Sequence, residues 1–249
     1  MARVPRFERV AGADRRRMLA EAAIASIMEG GAEGASIRRI AAKAGVSVGL
    51  IHHHFGSIDE LIAQAYELLY DRIIAGVQAG LAAAGPAPRE RLSALFRASF
   101  SPVLLMPELL TAWVVFWSMI RHSAPMRQAH EAKYAAYSGM LEGLLAAHAA
   151  AAGLPGFDLR LAAIGLSSLL DGLWLEWCLN PASFSPAEGI AMCEAWVDGL
   201  PGAVGRLGCG GAAGWVTGFS RRVLRAGRRT RRGPLAIPSS RDAPRPAGR

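Results

Sequence analysis

Three consecutive histidines, His52 to His54, are the residues whose type most directly suggests chemistry. Histidine binds transition metals and exchanges protons near neutral pH. Adjacent residues on a helix point about 100° apart, so three in a row cannot converge on one ion. A helical zinc pair needs the spacing of HExxH, which does not occur here. The pattern therefore predicts no metal site; it predicts that His54 packs locally while His52 and His53 are exposed.

Aromatic residues and one acid in the C-terminal half form a second candidate set. Trp113, Phe116 and Trp117 are spaced to share one helix face. Asp171 and Trp174 share another face in SLLDGLWLEWCL. Such stripes are most often core or dimer interface. The alternative is a ligand site, because a buried acid needs a partner and aromatic faces attract a quaternary ammonium ion.

Other catalytic patterns are missing from the sequence. Neither GxSxG, HExxH, a P-loop nor GxGxxG occurs in a suitable context, so we expect no enzyme and no cofactor. The three cysteines (Cys178, Cys193 and Cys209) show no CxxC spacing, which argues against disulfides or zinc and fits a reducing cytoplasm.

The positive charge of the chain is concentrated at one end. Residues 206–249 contain 11 Arg and one Asp, whereas the whole chain has a net charge of +8. This Arg-, Gly- and Pro-rich tail is predicted to be disordered. A nonspecific nucleic-acid binder acting through the tail is therefore one alternative. The N-terminus lacks an apolar signal segment, and the window Leu161–Leu179, with two acids, favours a buried helix over a membrane span.

The elements that position these residues are all predicted to be helices. Gly and Pro residues separate segments of helical periodicity from Asp14 to about residue 200, and no segment has a convincing strand pattern. The predicted spans, caps included, are 14–29, 36–45, 47–55, 57–81, 89–100, 107–121, 125–151, 158–179 and 186–200.

Two of the short helices meet across Gly45 and predict a helix-turn-helix. Ser36 and Ser47 suit the N-cap positions, and Gly45 permits the tight turn. The second helix of such a motif enters the DNA major groove with its N-terminal residues first. It would present Ser47, Val48, Gly49, His52 and His53, with Ser36, Arg38 and Arg39 placed for phosphate contacts.

The stretch SIRRIAAKAGVSVGLIHHHFGSIDELI resembles the DNA-binding domain of the TetR family of bacterial transcriptional regulators. The family pattern IAxxAGVSxGxxYxHFxxKxxL is matched at ten positions, with His52 in place of the usual aromatic residue and Ile58 in place of the usual Lys. The resemblance implies a homodimer that binds double-stranded operator DNA. Both departures weaken the expected contacts with the DNA backbone, so we expect more dependence on Arg38, Arg39 and Arg15–Arg17.

The segments AWVVFW and LLDGLWL look like the BetI branch of that family. That branch implies repression of choline uptake and glycine betaine synthesis genes, with relief by choline. A TetR-family repressor of an unrelated catabolic or efflux operon, sensing another small ligand, is the alternative. The expected organisation is a DNA-binding domain at 1–60, a ligand-binding and dimerisation domain at 61–205, and the tail at 206–249.

Overall fold

The described part of the chain is built entirely from helices. The computed structural model describes residues 6–154 and 156–200, and these residues contain no strand. The helices are α1 (Arg6–Gly34), α2 (Ile37–Ala44), α3 (Val48–His54), α4 (Ile58–Ala83), α5 (Pro88–Ser99), α6 (Pro107–Ile120), α7 (Ala124–Ala151), α8 (Leu159–Leu179) and α9 (Pro186–Asp198). The predicted all-α class is confirmed, and most helix ends agree within two residues.

The helix-turn-helix forms because both of its helices are capped. The Ser36 hydroxyl accepts a hydrogen bond from the Arg39 backbone N–H at 3.4 Å, and the Ser47 hydroxyl accepts one from Leu50 at 3.2 Å. Gly45 ends α2 in the left-handed region at φ 65°, ψ 33°. A side chain at this position would strain the turn, so the predicted role of Gly45 is confirmed.

The first helix differs from its prediction in length. It begins at Arg6 rather than Asp14 and continues past Glu29 to Gly34, with a break at Gly31 (φ 55°, ψ −137°). Gly31 therefore ends the first helical run, as predicted, and a short second run follows to Gly34. The Ser26 hydroxyl donates to the Gly34 carbonyl at 2.7 Å, which holds the chain in place after the kink.

Helix α4 joins the helix-turn-helix to the rest of the fold. The Ser57 hydroxyl caps it, but the Glu60 carboxylate accepts from the Gly56 N–H at 3.1 Å, so the predicted reciprocal capping box is only half formed. Helix α4 packs against α1, α5 and α7. Buried apolar residues run along it from Leu61 to Leu81 and join the helix-turn-helix core to that of the C-terminal helices.

Helix α8 is buried on one face only, which corrects the prediction of a buried helix. Among the described residues it alone is long and apolar enough to cross a membrane by length and composition, and 22% of its most apolar stretch is buried. Apolar helices of folded proteins meet the same two criteria. Its exposed face carries Leu161, Ile164, Leu175 and Leu179. The predicted disorder of residues 206–249 falls outside the described residues.

Candidate functional sites

The predicted DNA-facing residues belong to α2, α3 and their N-caps. Ser36, Ser47, Gly49, His52 and His53 are exposed. Val48 is half-buried and packs against the core, so only part of its side chain is available to a base edge. Because both serine hydroxyls already accept from the backbone, a phosphate oxygen would have to accept from their O–H groups.

His54 is half-buried, whereas His52 and His53 are exposed. Arg16 donates to the His54 carbonyl oxygen, and its guanidinium lies 4.0 Å from the centroid of the Phe55 ring. Burial lowers the pKa of His54, and the neighbouring His53, Arg15 and Arg16 charges lower it further. The His54 ring is edge-on to the His53 ring, with 5.1 Å between centroids. No group of three potential metal ligands occurs among the described residues.

The two arginines on α2 differ in their ion pairing. Arg39 pairs with Glu33 at 2.7 Å, and Lys43 pairs with Glu29 on the same surface. Arg38 is exposed and forms no ion pair within the described part of the chain. The sequence pattern treated Arg38 and Arg39 as equivalent, since it could not show that the end of α1 brings Glu33 beside Arg39. Arg38 is thus the more available phosphate partner.

A cavity lies among α4, α5, α6, α7 and α8. Its volume is about 70 Å³, several times the roughly 10–15 Å³ that one buried water needs. Seven aromatic rings and His130 line it, with Asp171 as the acid and no Lys or Arg among its described lining residues. The aromatic lining consists of Tyr66, Tyr70, Trp113, Trp117, Tyr134, Tyr137 and Trp174. Such a site suits a compact cation better than an anion.

Asp171 is the only carboxylate among the described residues that line this cavity. No salt bridge reaches it from any residue that the structure describes. Burial raises its pKa from 3.8 to about 6, and a hydrogen bond from Ser167 offsets part of that rise. The carboxylate is therefore desolvated and uncompensated, which is costly unless a cation enters.

The lining rings form a continuous series. Ring centroids are 6.3 Å apart for Trp113 and Trp174, 6.2 Å for Trp113 and Trp117, and 5.5 Å for Trp113 and Tyr66. The Trp174 indole N–H donates to the Ser99 carbonyl at 3.0 Å, which fixes that ring. These separations are those of favourable aromatic pairs, so the cavity wall is well ordered by its own contacts.

Tyrosines of α4 and α7 complete the wall. The Tyr66 hydroxyl is 3.0 Å from His130 Nδ1, and the Tyr70 hydroxyl donates to the Lys133 carbonyl at 3.3 Å. Burial raises the pKa of Tyr66 and Tyr70, and the Asp171 charge raises both further. Both phenols stay neutral at physiological pH. They therefore offer hydrogen bonds and ring faces and leave Asp171 uncompensated.

Four of the five predicted ligand residues line this cavity: Trp113, Trp117, Asp171 and Trp174. Phe116 does not; it is fully buried behind the wall, 5.7 Å from the Tyr66 ring and edge-on to it. The tyrosines and His130 were missed. Their helical spacings, four residues on α4 and four then three on α7, were a usable signal. Only the packing of α7 against α4 and α6 brings these side chains together.

Comparison with protein families agrees with both halves of the fold. Residues 19–65 match the family described as bacterial regulatory proteins, tetR family. Residues 88–202 match the family described as BetI-type transcriptional repressor, C-terminal. The first match includes the whole helix-turn-helix, and the second includes α5–α9.

Similar proteins of known name are regulators, not enzymes. The HTH-type transcriptional regulator BetI of Burkholderia thailandensis is 32% identical over 184 residues, which cover 74% of this chain and 92% of the relative. BetI of Burkholderia mallei is 30% identical over 186 residues, covering 75% and 93%.

Solved structures show the same fold. A transcriptional regulator from Pseudomonas aeruginosa PAO1 is 45% identical with a TM-score of 0.72, covering 81% of this chain and 97% of that one. A regulator from Saccharomonospora viridis in complex with choline has a TM-score of 0.64 at 21% identity, covering 75% and 96%. The chain therefore belongs to the TetR family of bacterial transcriptional regulators and is a repressor with a BetI-type C-terminal domain.

Proposed function

We propose that this repressor binds operator DNA as a homodimer in the cytoplasm and is released by choline or a similar compact cation. The genes it controls would be those for choline uptake and glycine betaine synthesis. The single observation that carries the ligand assignment is the unpaired Asp171 carboxylate in an aromatic cavity without a basic residue in its described lining. The BetI relatives and the choline-bound neighbour support the same ligand class.

A quaternary ammonium ion fits both the carboxylate and the aromatic wall of the cavity. Its charge compensates the desolvated carboxylate, and its methyl groups pack on the faces of Trp113, Trp117 and Trp174. Cation–π attraction contributes about 0.5–2 kcal/mol per well-placed ring when the site is desolvated. An anionic ligand would place like charges together, so the site selects by sign of charge.

The exposed face of α8 supports a dimer. Residues 161, 164, 168, 172, 175 and 179 form one stripe along the helix, and all six are exposed. Leu and Ile occupy its ends, whereas Ser168 and Gly172 at its centre are small enough for a second helix to approach closely. Met192 on α9 extends the apolar surface. We infer that α8 and α9 pair with their copies as a four-helix interface.

The dimer would set the spacing of two DNA-binding domains at residues 1–60, each followed by a ligand-binding and dimerisation domain at 61–205. Recognition helices related by a two-fold axis must reach successive major grooves about 34–36 Å apart. We assign base-edge contacts to Val48, Gly49, His52 and His53. Phosphate contacts are assigned to Ser36, Arg38, Arg39 and Ser47.

Helix α4 would carry the signal from the cavity to the DNA. Tyr66 lies nine residues after the Ser57 cap, or about 14 Å along the helix. A ligand that shifts the α4 wall would therefore change the angle of the helix-turn-helix at the other end of the same helix. Each tenfold loss of operator affinity requires the ligand to favour the non-binding state by about 1.4 kcal/mol.

Calorimetry and operator binding test this function together. Titration of the full chain with choline should give saturable heat, and choline should weaken binding to a fluorescent duplex from the upstream region of its own gene. Potassium acetate serves as the anion control. No heat with choline, tetramethylammonium or betaine aldehyde would reject the ligand assignment and favour a repressor that senses another small molecule.

A further inference from the structure

The cavity has two chemically different ends. Asp171 and Trp174 lie one turn apart on α8, and the ring series from Trp174 passes through Trp113 and Tyr66 to His130. The last step, from Tyr66 to His130, is 6.2 Å between centroids. His130, on α7, therefore lies three ring contacts along the wall from Trp174, the neighbour of Asp171 on α8.

His130 presents an uncharged hydrogen-bonding group at this far end. Burial lowers the pKa of its imidazole, so the ring is neutral at physiological pH. Its Nδ1 is 3.0 Å from the Tyr66 hydroxyl, and no hydrogen bond to its Nε2 occurs within the described residues. When the phenol donates to Nδ1, the ring proton resides on Nε2. That N–H is then free to donate to an oxygen in the cavity.

We propose that His130 is a specificity-determining residue that hydrogen-bonds the uncharged oxygen of a ligand whose ammonium group lies at Asp171. This inference rests on the proposed cation site and narrows its ligand to a short ammonium alcohol rather than any alkylammonium ion. Asp171 and His130 line the same small cavity of about 70 Å³, so a short arm between the two groups suits it. A ligand oxygen bound to His130 would also act on the contact between α4 and α7, because His130 of α7 is hydrogen-bonded to Tyr66 of α4.

Paired ligands isolate this hydrogen bond. Choline and propyltrimethylammonium have the same ammonium group and nearly the same length, but a methyl group replaces the hydroxyl. For the unmodified protein we expect calorimetry to show choline binding about 3- to 10-fold more tightly, the effect of one neutral hydrogen bond. In His130→Leu the ratio should fall to about 1, with the affinity for propyltrimethylammonium changed less than about twofold.

Matched variants separate recognition from folding. His148→Leu alters another histidine of α7 that is outside the cavity lining, and it should keep the wild-type ratio. His130→Gln retains an N–H donor and should keep part of the preference. If His130→Leu does not fold by circular dichroism, Tyr66→Phe provides the second test, because loss of the phenol frees the imidazole tautomer and should lower the ratio.

The outcomes distinguish this inference from the proposed function. Binding of both ligands with equal affinity to the unmodified protein overturns the role of His130 and leaves the cation site intact. An unchanged ratio in His130→Leu, or in Tyr66→Phe when that variant is the one that folds, has the same meaning. Failure of both ligands to bind the unmodified protein overturns the cation site, and the role of His130 with it.

Discussion

Replacing Asp171 with Asn should stabilise the ligand-free protein while abolishing its response to choline. Because the pKa of Asp171 rises from 3.8 to about 6 on folding, ionising it costs the folded state about 3 kcal/mol at pH 8. Asn keeps the shape and has no charge to desolvate. In a chain of this size, 3 kcal/mol corresponds to roughly 6–12 °C in Tm. If Asp171 served only to stabilise the fold, Asp171→Asn would instead lower the Tm.

The pH dependence of this gain in thermal stability follows from the direction of the pKa shift of Asp171. A carboxyl with a raised folded pKa binds its proton more tightly in the folded state, so its favourable contribution is complete below pH 3.8 and is lost as the pH rises through about 6. The Tm difference between Asp171→Asn and the unmodified protein should therefore be small near pH 4 and reach its full value above pH 7.

Thermal melts at fixed protein concentration provide the assay, since dimer stability depends on concentration. Glu176→Gln removes an exposed charge from the same helix and should leave both Tm and the choline response nearly unchanged. Saturating choline should raise the Tm of the unmodified protein and leave that of Asp171→Asn unchanged. The reasoning is refuted if Asp171→Asn is less stable than the unmodified protein at pH 8, or binds choline with unchanged affinity.

Three further predictions concern the ligand and the DNA. Choline affinity should fall about tenfold between pH 7 and pH 5 in calorimetry as Asp171 protonates, and a flat profile would contradict the role of the carboxylate. Trp117→Leu should weaken choline binding by about 3- to 30-fold through loss of one ring face, whereas equal affinity would exclude that ring from the site. Arg38→Ala should lower operator affinity and reduce the slope of log K against log salt by about 2 for the homodimer, one for each subunit, and Arg39→Ala should do so less because Glu33 already pairs with it. Equal slopes for the two variants in fluorescence anisotropy would contradict that difference.

The local signals in the sequence determined the helix-turn-helix almost completely. Ser36, Gly45 and Ser47 act through bonds to residues three or four positions away, so their effect does not depend on distant parts of the chain. The short spacing of HHH excluded a shared metal ion for the same local reason. The break at Gly31 was predicted from the Gly30-Gly31 pair, whereas the further helical run to Gly34, which accepts a hydrogen bond from Ser26, was not.

The ligand cavity depended on tertiary structure. Helical periodicity grouped Trp113 with Trp117 and Asp171 with Trp174, but it also grouped Phe116 with the first pair, and packing turned that ring toward the core. Tyr66 and His130 are 64 residues apart in sequence and meet only because α4 and α7 pack side by side. Periodicity tells which residues share a face of one helix. Which face of another helix lies opposite is set by the packing of the whole bundle, and that packing determines whether Asp171 meets a cation of the protein or is left for a ligand.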